Sequence, residues 1–276
     1  MQMSRRAKTL ILQIVMTILV IVWILPIVWV VATSFKTTTE MFMDPLSLVP
    51  KEFTWDNYIR AWKLANFSKY LLNTVIYSVV STAIVLFISS MSGYVLGRYE
   101  FPGKKIIFVT ILATILMPSR YTFIPIFDLV RKLDLLNKLG GLILVSSGVN
   151  ALYVMLFSGY FSTVPKSFEE AAIIEGATFP QIFFKIMLPL SKPVIGTVII
   201  FHFVACWNDF FFPLILTLGN PNARTLGVGL YAFYGEFTTD WTGLAAALVI
   251  SMIPILIVFL MFQKYFMRVM AGGIKG

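Results

Sequence analysis

The sequence predicts an all-α membrane protein with six transmembrane helices. Of its 276 residues, 58% are hydrophobic and 13% are charged, and the mean hydropathy is +0.86. Soluble domains contain about 25% charged residues, so this chain has too few to cover a surface that faces water. A helix needs about 20 apolar residues to cross the hydrocarbon core. Six segments reach that length, namely Leu10–Ala32, Tyr70–Leu96, Ile106–Phe127, Gly141–Phe161, Val194–Leu218 and Gly243–Tyr265.

The lengths of these apolar runs indicate helices, because a strand of a membrane barrel has only about ten residues in an alternating pattern. The run from Leu10 to Ala32 also exceeds the roughly 7–15 residues of a signal-peptide core, so we expect it to be a retained span. The net charge of +9 comes from basic residues that flank the apolar runs. That pattern favours the lipid bilayer, and not nucleic acid, as their partner.

The longest polar connection, Ser34–Lys69, lies between the first two spans. Within it, Trp55, Tyr58 and Trp62 recur at helical spacing, which predicts a short helix with one aromatic face. Such a helix either lies in the membrane interface or packs on the outer ends of the spans.

Motifs for catalysis are absent from the sequence. There is no G-x-x-x-x-G-K-[ST] run for binding ATP phosphates, and there is a single histidine. No cluster of carboxylates lies at membrane depth. We therefore predict no catalytic residues, no metal site and no cofactor on this chain, and a function other than that of an enzyme.

The fifth span contains polar side chains that need an explanation. His202 and Asp209 are seven residues apart and so lie on one helix face. They fit a proton relay, which would make the protein a proton-coupled secondary solute carrier. Alternatively, Trp207, Asn208 and Asp209 line a pathway for a hydroxylated solute. In a third interpretation, Asn208 and Asp209 only satisfy a helix that is broken near Pro213.

The polar segment Pro165–Pro193 separates two spans and is too polar to cross a membrane. Ser167 is a candidate N-cap, with Glu170 completing a capping box. This first helix is expected to end at Gly176, which tolerates the left-handed conformation.

A second helix of the same segment is expected to begin at Thr178, with Gln181 three residues later, and to break at Leu188-Pro189. Its apolar residues share one face: Ile182, Phe183, Ile186 and Met187. In the first helix, the small side chains of Ala171 and Ala172 suit close docking against another surface.

The same segment contains the complete pattern E-A-A-x3-G-x9-I-x-L-P, which resembles the signature of permease subunits of ATP-binding-cassette (ABC) importers. Its residues are Glu170, Ala171, Ala172, Gly176, Ile186, Leu188 and Pro189. Further similarities narrow the resemblance to carbohydrate-importer permeases, the group of the smaller permease subunit of the maltose transporter. They are YLLNTVIYS at Tyr70–Ser78, IPIF at Ile124–Phe127, WNDFFFPLILT at Trp207–Thr217 and AGGIKG at Ala271–Gly276.

The resemblance implies a type I ABC importer permease in the cell membrane of a prokaryote, with both termini cytoplasmic. The 165–193 segment would be a cytoplasmic pair of coupling helices that docks on an ATPase, with Glu170 and Gly176 as the most sensitive residues. ATP and Mg would bind to that partner chain. The implied complex has a second permease subunit, two copies of the ATPase subunit and an extracytoplasmic sugar-binding protein.

The loop Gly219–Asp240 is the expected contact with this binding protein, through Gly229, Tyr231, Phe233 and Tyr234; an ordinary exposed hairpin is the alternative. We divide the chain into three parts. Residues 1–68 hold the tail, the first span and the extracytoplasmic connection; residues 69–263 form the permease core; and residues 264–276 form a cytoplasmic tail.

Overall fold

The computed structural model describes residues 5–63, 66–116, 122–235 and 239–273. Across these ranges the regular structure is helical, and a single isolated antiparallel bridge joins Tyr234 and Thr239. The α-helices are α1 (Arg5–Thr33), α2 (Thr38–Met43), α3 (Asp56–Lys63), α4 (Phe67–Arg98), α5 (Lys104–Leu116), α6 (Phe123–Lys132), α7 (Leu139–Ser146), α8 (Ala151–Thr163), α9 (Ser167–Ile174), α10 (Phe179–Ile182), α11 (Leu188–Leu190), α12 (Lys192–Trp207), α13 (Phe211–Leu216), α14 (Leu226–Gly229) and α15 (Trp241–Gly273). The prediction of an all-α protein is confirmed.

Within the described ranges, three helices are long and apolar enough to cross a membrane: Thr9–Thr33, Phe67–Arg98 and Trp241–Tyr265. They correspond to the first, second and sixth predicted spans. Two pairs of helices bent by 48° and 75° raise the number to five among the described residues if each pair is one span. The count of six remains a prediction.

The other predicted spans are not single long helices among the described residues. In the third, α5 (Lys104–Leu116) and α6 (Phe123–Lys132) lie on either side of residues 117–121, which include Pro118 and lie outside the described residues. The fourth and fifth are interrupted. In the fourth, Asn150 caps a new helix, its Oδ1 accepting from the Leu152 N–H at 3.1 Å. In the fifth, Pro213 lies in the first turn of α13. N–H groups there have no acceptor within the helix, so the missing N–H of proline removes no hydrogen bond. Hydropathy measures the length of an apolar run and is insensitive to such caps.

The chain packs as two compact units. The first comprises Met1–Ser68 and Gly229–Ile253, and the second comprises Lys69–Val228 and Pro254–Gly276. In the first unit, the Asn57 amide on α3 donates to the carbonyl oxygens of Ser34 and Lys36 at 2.9 and 2.7 Å. The aromatic helix therefore packs on the end of α1, while Trp55 and Trp62 on its other side stay exposed.

In the second unit, α4 and α8 approach closely through glycine. A Cβ placed on Gly93 would lie 2.4 Å from the Phe157 Cβ, and one on Gly97 would lie 2.6 Å from the Ser158 carbonyl oxygen. Small residues permit such contacts between membrane helices. The close contact borders a cluster of buried aromatic and aliphatic side chains that includes Tyr94, Phe161, Phe183 and Met187.

We expect Gly93→Ala to lower the free energy of unfolding by about 1–3 kcal/mol, because the added methyl group forces α4 and α8 apart. Gly159→Ala is the matched control, since a Cβ on this exposed α8 glycine meets no atom within 4 Å. The measurement is the melting temperature of the purified protein in detergent. Equal melting temperatures for the two variants would contradict the close helix contact.

Candidate functional site

The first helix of the 165–193 segment begins one residue earlier than predicted. Lys166 is the N-cap and has no side-chain cap bond, and Ser167 is already helical, so the predicted Ser167–Glu170 capping box is wrong. The reason lies in the backbone, since the Lys166 carbonyl accepts from the Glu170 N–H at 3.1 Å. Glu169 and Glu170 still lie in the first turn, where the helix dipole favours negative charge.

The end of this helix is as predicted. Gly176 adopts a φ of +78°, and it closes a Schellman motif in which the Ala177 N–H donates to the Ala172 carbonyl and the Gly176 N–H donates to the Ile173 carbonyl, each at 2.9 Å. A Cβ at Gly176 would meet nothing within 4 Å. Glycine is therefore required at position 176 because of the left-handed backbone conformation, and not because a larger side chain would collide with a neighbour.

The second helix also begins as predicted, at the N-cap Thr178, whose backbone N–H donates to the Gln181 Oε1 at 2.7 Å. Its predicted inner face is buried at Ile182, Phe183 and Met187, and Ile186 is half-buried.

The predicted break at Leu188-Pro189 is wrong. A π-helical turn, Phe183–Met187, precedes the proline, and the helix continues to Leu190 before the chain turns by 75° into α12. In this wider turn the Leu188 N–H donates to the Phe183 carbonyl, five residues back. The turn thereby accommodates a proline ring that would collide with the preceding carbonyl in a regular α-helix.

The first helix has an inner and an outer face. Ala172 is buried in the core, whereas Glu170 and Ala171 are exposed. The proposal that both alanines share a docking surface is wrong, because consecutive helical residues point about 100° apart. Ile173 and Ile174 extend the outer face with exposed fractions of 61% and 86%. We call the exposed residues Glu170, Ala171, Ile173 and Ile174 the outer face. It is an apolar surface with the Glu170 carboxylate at its edge.

An ion pair fixes this helix to the rest of the second unit. The Arg98 guanidinium, at the end of α4, donates to Glu169 Oε2 through both Nε and Nη2, and the Nε bond is 2.7 Å long. Its Nη1 donates to the Val164 carbonyl at 2.6 Å, near the end of α8. Both side chains are largely buried, with exposed fractions of 5% and 12%. We call this arrangement the Arg98–Glu169 pair.

Aromatic rings enclose the pair. The Tyr94 hydroxyl donates to Glu169 Oε1 at 2.6 Å, and the centroids of the Phe161, Phe179 and Phe183 rings lie within 5.5 Å of that of Tyr94. This partner of Glu169 was not found from the sequence. Glu169 and Arg98 are 71 residues apart, and no local pattern joins them.

The three residues proposed for a solute pathway differ in exposure. Trp207 is buried and stacks on Phe203, with 5.3 Å between ring centroids. Asn208 is exposed, and Asp209 is half-buried. The Asp209 Oδ2 accepts from the Tyr77 hydroxyl at 3.1 Å, and the carboxylate also accepts from backbone N–H groups at the start of α13. This geometry agrees with the interpretation of a broken helix.

His202 and Asp209 are not joined by a hydrogen bond within the described part of the chain. The His202 Nε2 lies 3.4 Å from the Cys206 Sγ, and its ring packs edge-on against Tyr153. The two residues are therefore not in direct contact.

The stretch from residue 219 to residue 228 bonds to the beginning of α4. The Asn73 amide donates to the carbonyl oxygens of Asn222 and Arg224 at 2.9 and 2.8 Å. The Thr74 hydroxyl accepts from the Leu226 N–H at 2.7 Å, and the Lys69 Nζ donates to the Asn222 Oδ1 at 2.8 Å. We call these bonds the Asn73 contacts.

The proposed contact residues for a binding protein lie in the first unit. Gly229 has an ordinary helical φ of −64° and begins a 3-10 turn, Leu230–Phe233. Tyr231 and Tyr234 are exposed, with ring centroids 5.5 Å apart. Phe233 is 2% exposed, because the 3-10 turn directs its ring inward, so it does not share the exposed surface of Tyr231 and Tyr234.

Asp240 closes this loop through α3. The Arg60 Nε and Nη2 donate to its two carboxylate oxygens at 3.1 and 2.9 Å. Partial burial alone would raise the pKa of Asp240, but the bonds from Arg60 and from the Gly243 N–H outweigh it and lower the pKa. Asp240 is therefore ionised at neutral pH and holds α3 to the start of α15.

Comparison with known proteins gives a family match over residues 89–271, to the binding-protein-dependent transport system inner membrane component. The chain is 36% identical over 234 residues to the diacetylchitobiose uptake system permease protein NgcG of Streptomyces coelicolor, covering 84% of this chain and 77% of that protein. It is 34% identical over 247 residues to the arabinooligosaccharides transport system permease protein AraQ of Bacillus subtilis, and this match covers 88% of this chain and 87% of that protein.

Among solved structures, a chain of a bacterial ABC transporter involved in the import of the acidic polysaccharide alginate superimposes with a TM-score of 0.85 and 25% identity. The match covers 96% of this chain and 99% of that one. These findings support an importer permease and not a proton-coupled secondary carrier. The chain belongs to the family of inner membrane components of binding-protein-dependent ABC transport systems.

Proposed function

We propose that this permease imports a carbohydrate that an extracytoplasmic binding protein delivers, with ATP hydrolysed on a partner chain. The carbohydrate class is supported by the relatives, whose names specify diacetylchitobiose, arabino-oligosaccharides and, in a further permease, melibiose, raffinose and stachyose. The observation that carries the coupling mechanism is the outer face of the 165–193 segment.

This outer face has the chemistry of a protein-docking surface. Ile173 and Ile174 are exposed in a segment that is too polar to lie among lipid chains, so apolar area is left for a partner to cover. Glu170 provides a carboxylate at the edge of that area for a basic group of the ATPase. The ATPase holds the ATP and Mg in the cytoplasm, which places both termini of this chain on the cytoplasmic side.

Three further signature residues support the outer face from within. Ala172 lies in the core cluster, and Ile186 and Leu188 pack against it. When the ATPase pair closes on ATP, the 165–193 segment moves as one body because its two helices share this core. The Gly176 turn sets the angle between them.

The opposite side of the permease receives the solute. The exposed side chains of Tyr231 and Tyr234 provide aromatic surface for the binding protein. Asn208, exposed at the end of α12, is the proposed polar contact along the pathway. The complete importer contains a second, different permease subunit and two ATPase subunits.

The direct test is purification of the complex from native membranes through a tag on this chain. We expect a P-loop ATPase, a second permease and a binding protein to co-purify. In liposomes, ATP hydrolysis should rise when the binding protein is supplied with one member of a panel of diacetylchitobiose, arabinotriose, melibiose and raffinose. Uptake that persists without any ATPase subunit would contradict the proposal.

We expect Gly176→Val to remain in the membrane but to lose transport, because a β-branched residue strains the left-handed turn by roughly 1–2 kcal/mol and reorients the outer face. Gly103→Val is the matched control. Gly103 has a similar φ of +83° and equally open surroundings, but it lies in the turn between α4 and α5. Transport is measured as sugar uptake by cells with equal permease levels; equal loss in both variants would remove the special role of Gly176.

A further inference from the structure

Helix α4 contacts both functional ends of the second unit. Its last residue forms the Arg98–Glu169 pair with the 165–193 segment, and its first turns form the Asn73 contacts with residues 222–226. We propose that α4 is the connecting helix through which binding-protein docking outside controls the ATPase inside. This inference rests on the proposed function, and it names the residues that couple the binding protein to the ATPase.

The Arg98–Glu169 pair, the inner joint of α4, is rigid because its two charges are largely buried and hold each other in place. Arg98 donates to Glu169 and to the backbone of α8 at the same time, and Tyr94, one turn earlier on α4, donates to the same carboxylate. Separating the pair would leave two largely buried charges without partners, which is strongly unfavourable. A displacement of α9 is therefore transmitted to the end of α4.

The helix between the joints is suited to transmitting that displacement. It has 32 residues and no proline, whereas α1 and α15 contain Pro26 and Pro254. At 1.5 Å per residue it is about 48 Å long, more than the roughly 30 Å of the hydrocarbon core. Gly93 and Gly97 hold its inner end tightly against α8. A displacement of the inner end of α4 therefore moves α4 together with α8, and α4 has no proline at which it would kink.

The outer joint is made by side chains of α4 on backbone groups. The Asn73 amide binds two carbonyl oxygens, and the Thr74 hydroxyl binds one N–H, so the path of residues 222–226 follows the position of α4. Asn73 and Thr74 are 8% and 0% exposed. These bonds are shielded from water, which would otherwise replace them without loss.

The test uses the reconstituted complex and measures the ratio of ATP hydrolysis with and without the sugar-loaded binding protein, using the panel sugar that stimulates the wild type most. We expect Glu169→Gln and Asn73→Ala, at opposite ends of α4, each to lower this ratio at least about fivefold, the lower end of coupling between two sites. A purely structural role would reduce both rates in proportion and leave the ratio unchanged.

Glu100→Gln is the control, because it breaks an exposed ion pair with Lys104 at the same end of α4. It should keep the wild-type ratio. The inference is overturned if Glu169→Gln and Asn73→Ala keep that ratio, or if Glu100→Gln lowers it equally. If Glu169→Gln fails to assemble, Asn73→Ala alone decides. A wild type that no panel sugar stimulates would instead contradict the proposed function, and the inference with it.

Discussion

The burial of the Arg98–Glu169 pair is the constraint on which the rest of the site depends. Two charges that are largely withdrawn from water can remain so only while they face each other, and breaking such a pair costs about 3–5 kcal/mol. Glu169 must therefore point inward from α9. Its neighbour Glu170 lies about 100° further around the helix. Glu170 therefore points outward, together with Ala171 and Ile174. The direction of one buried carboxylate thus determines which side chains a partner can touch.

The same pair also connects the two ends of α4. The pair lies at the end of α4, and the Asn73 contacts lie near its beginning. One uninterrupted helix therefore holds both the segment that we propose to dock on an ATPase and the stretch next to the loop that we propose to contact the binding protein. The glycines at 93 and 97 bring α8 into the same assembly. The second unit thereby has the contacts that a transport cycle driven from outside and powered from inside requires.

Local chemistry could be predicted from the sequence, and long-range partners could not. The left-handed turn at Gly176 and the start at Thr178 with Gln181 depend on residues within four positions, and both were found. The break at Pro189 was predicted wrongly because a π-helical turn can absorb a proline. The inward directions of Ala172 and Phe233, and the partner of Glu169, depend on contacts with distant elements that no spacing within the segment encodes.

We propose that the outer face of the 165–193 segment docks on an ATPase. A photo-crosslinking amino acid at Ile174, which is 86% exposed, tests it in intact membranes, with the same probe at Leu218, 65% exposed, as the comparison. We expect an adduct between position 174 and a P-loop ATPase, identified by mass spectrometry, and none from position 218. No ATPase adduct at position 174, or equal adducts at both positions, would contradict it.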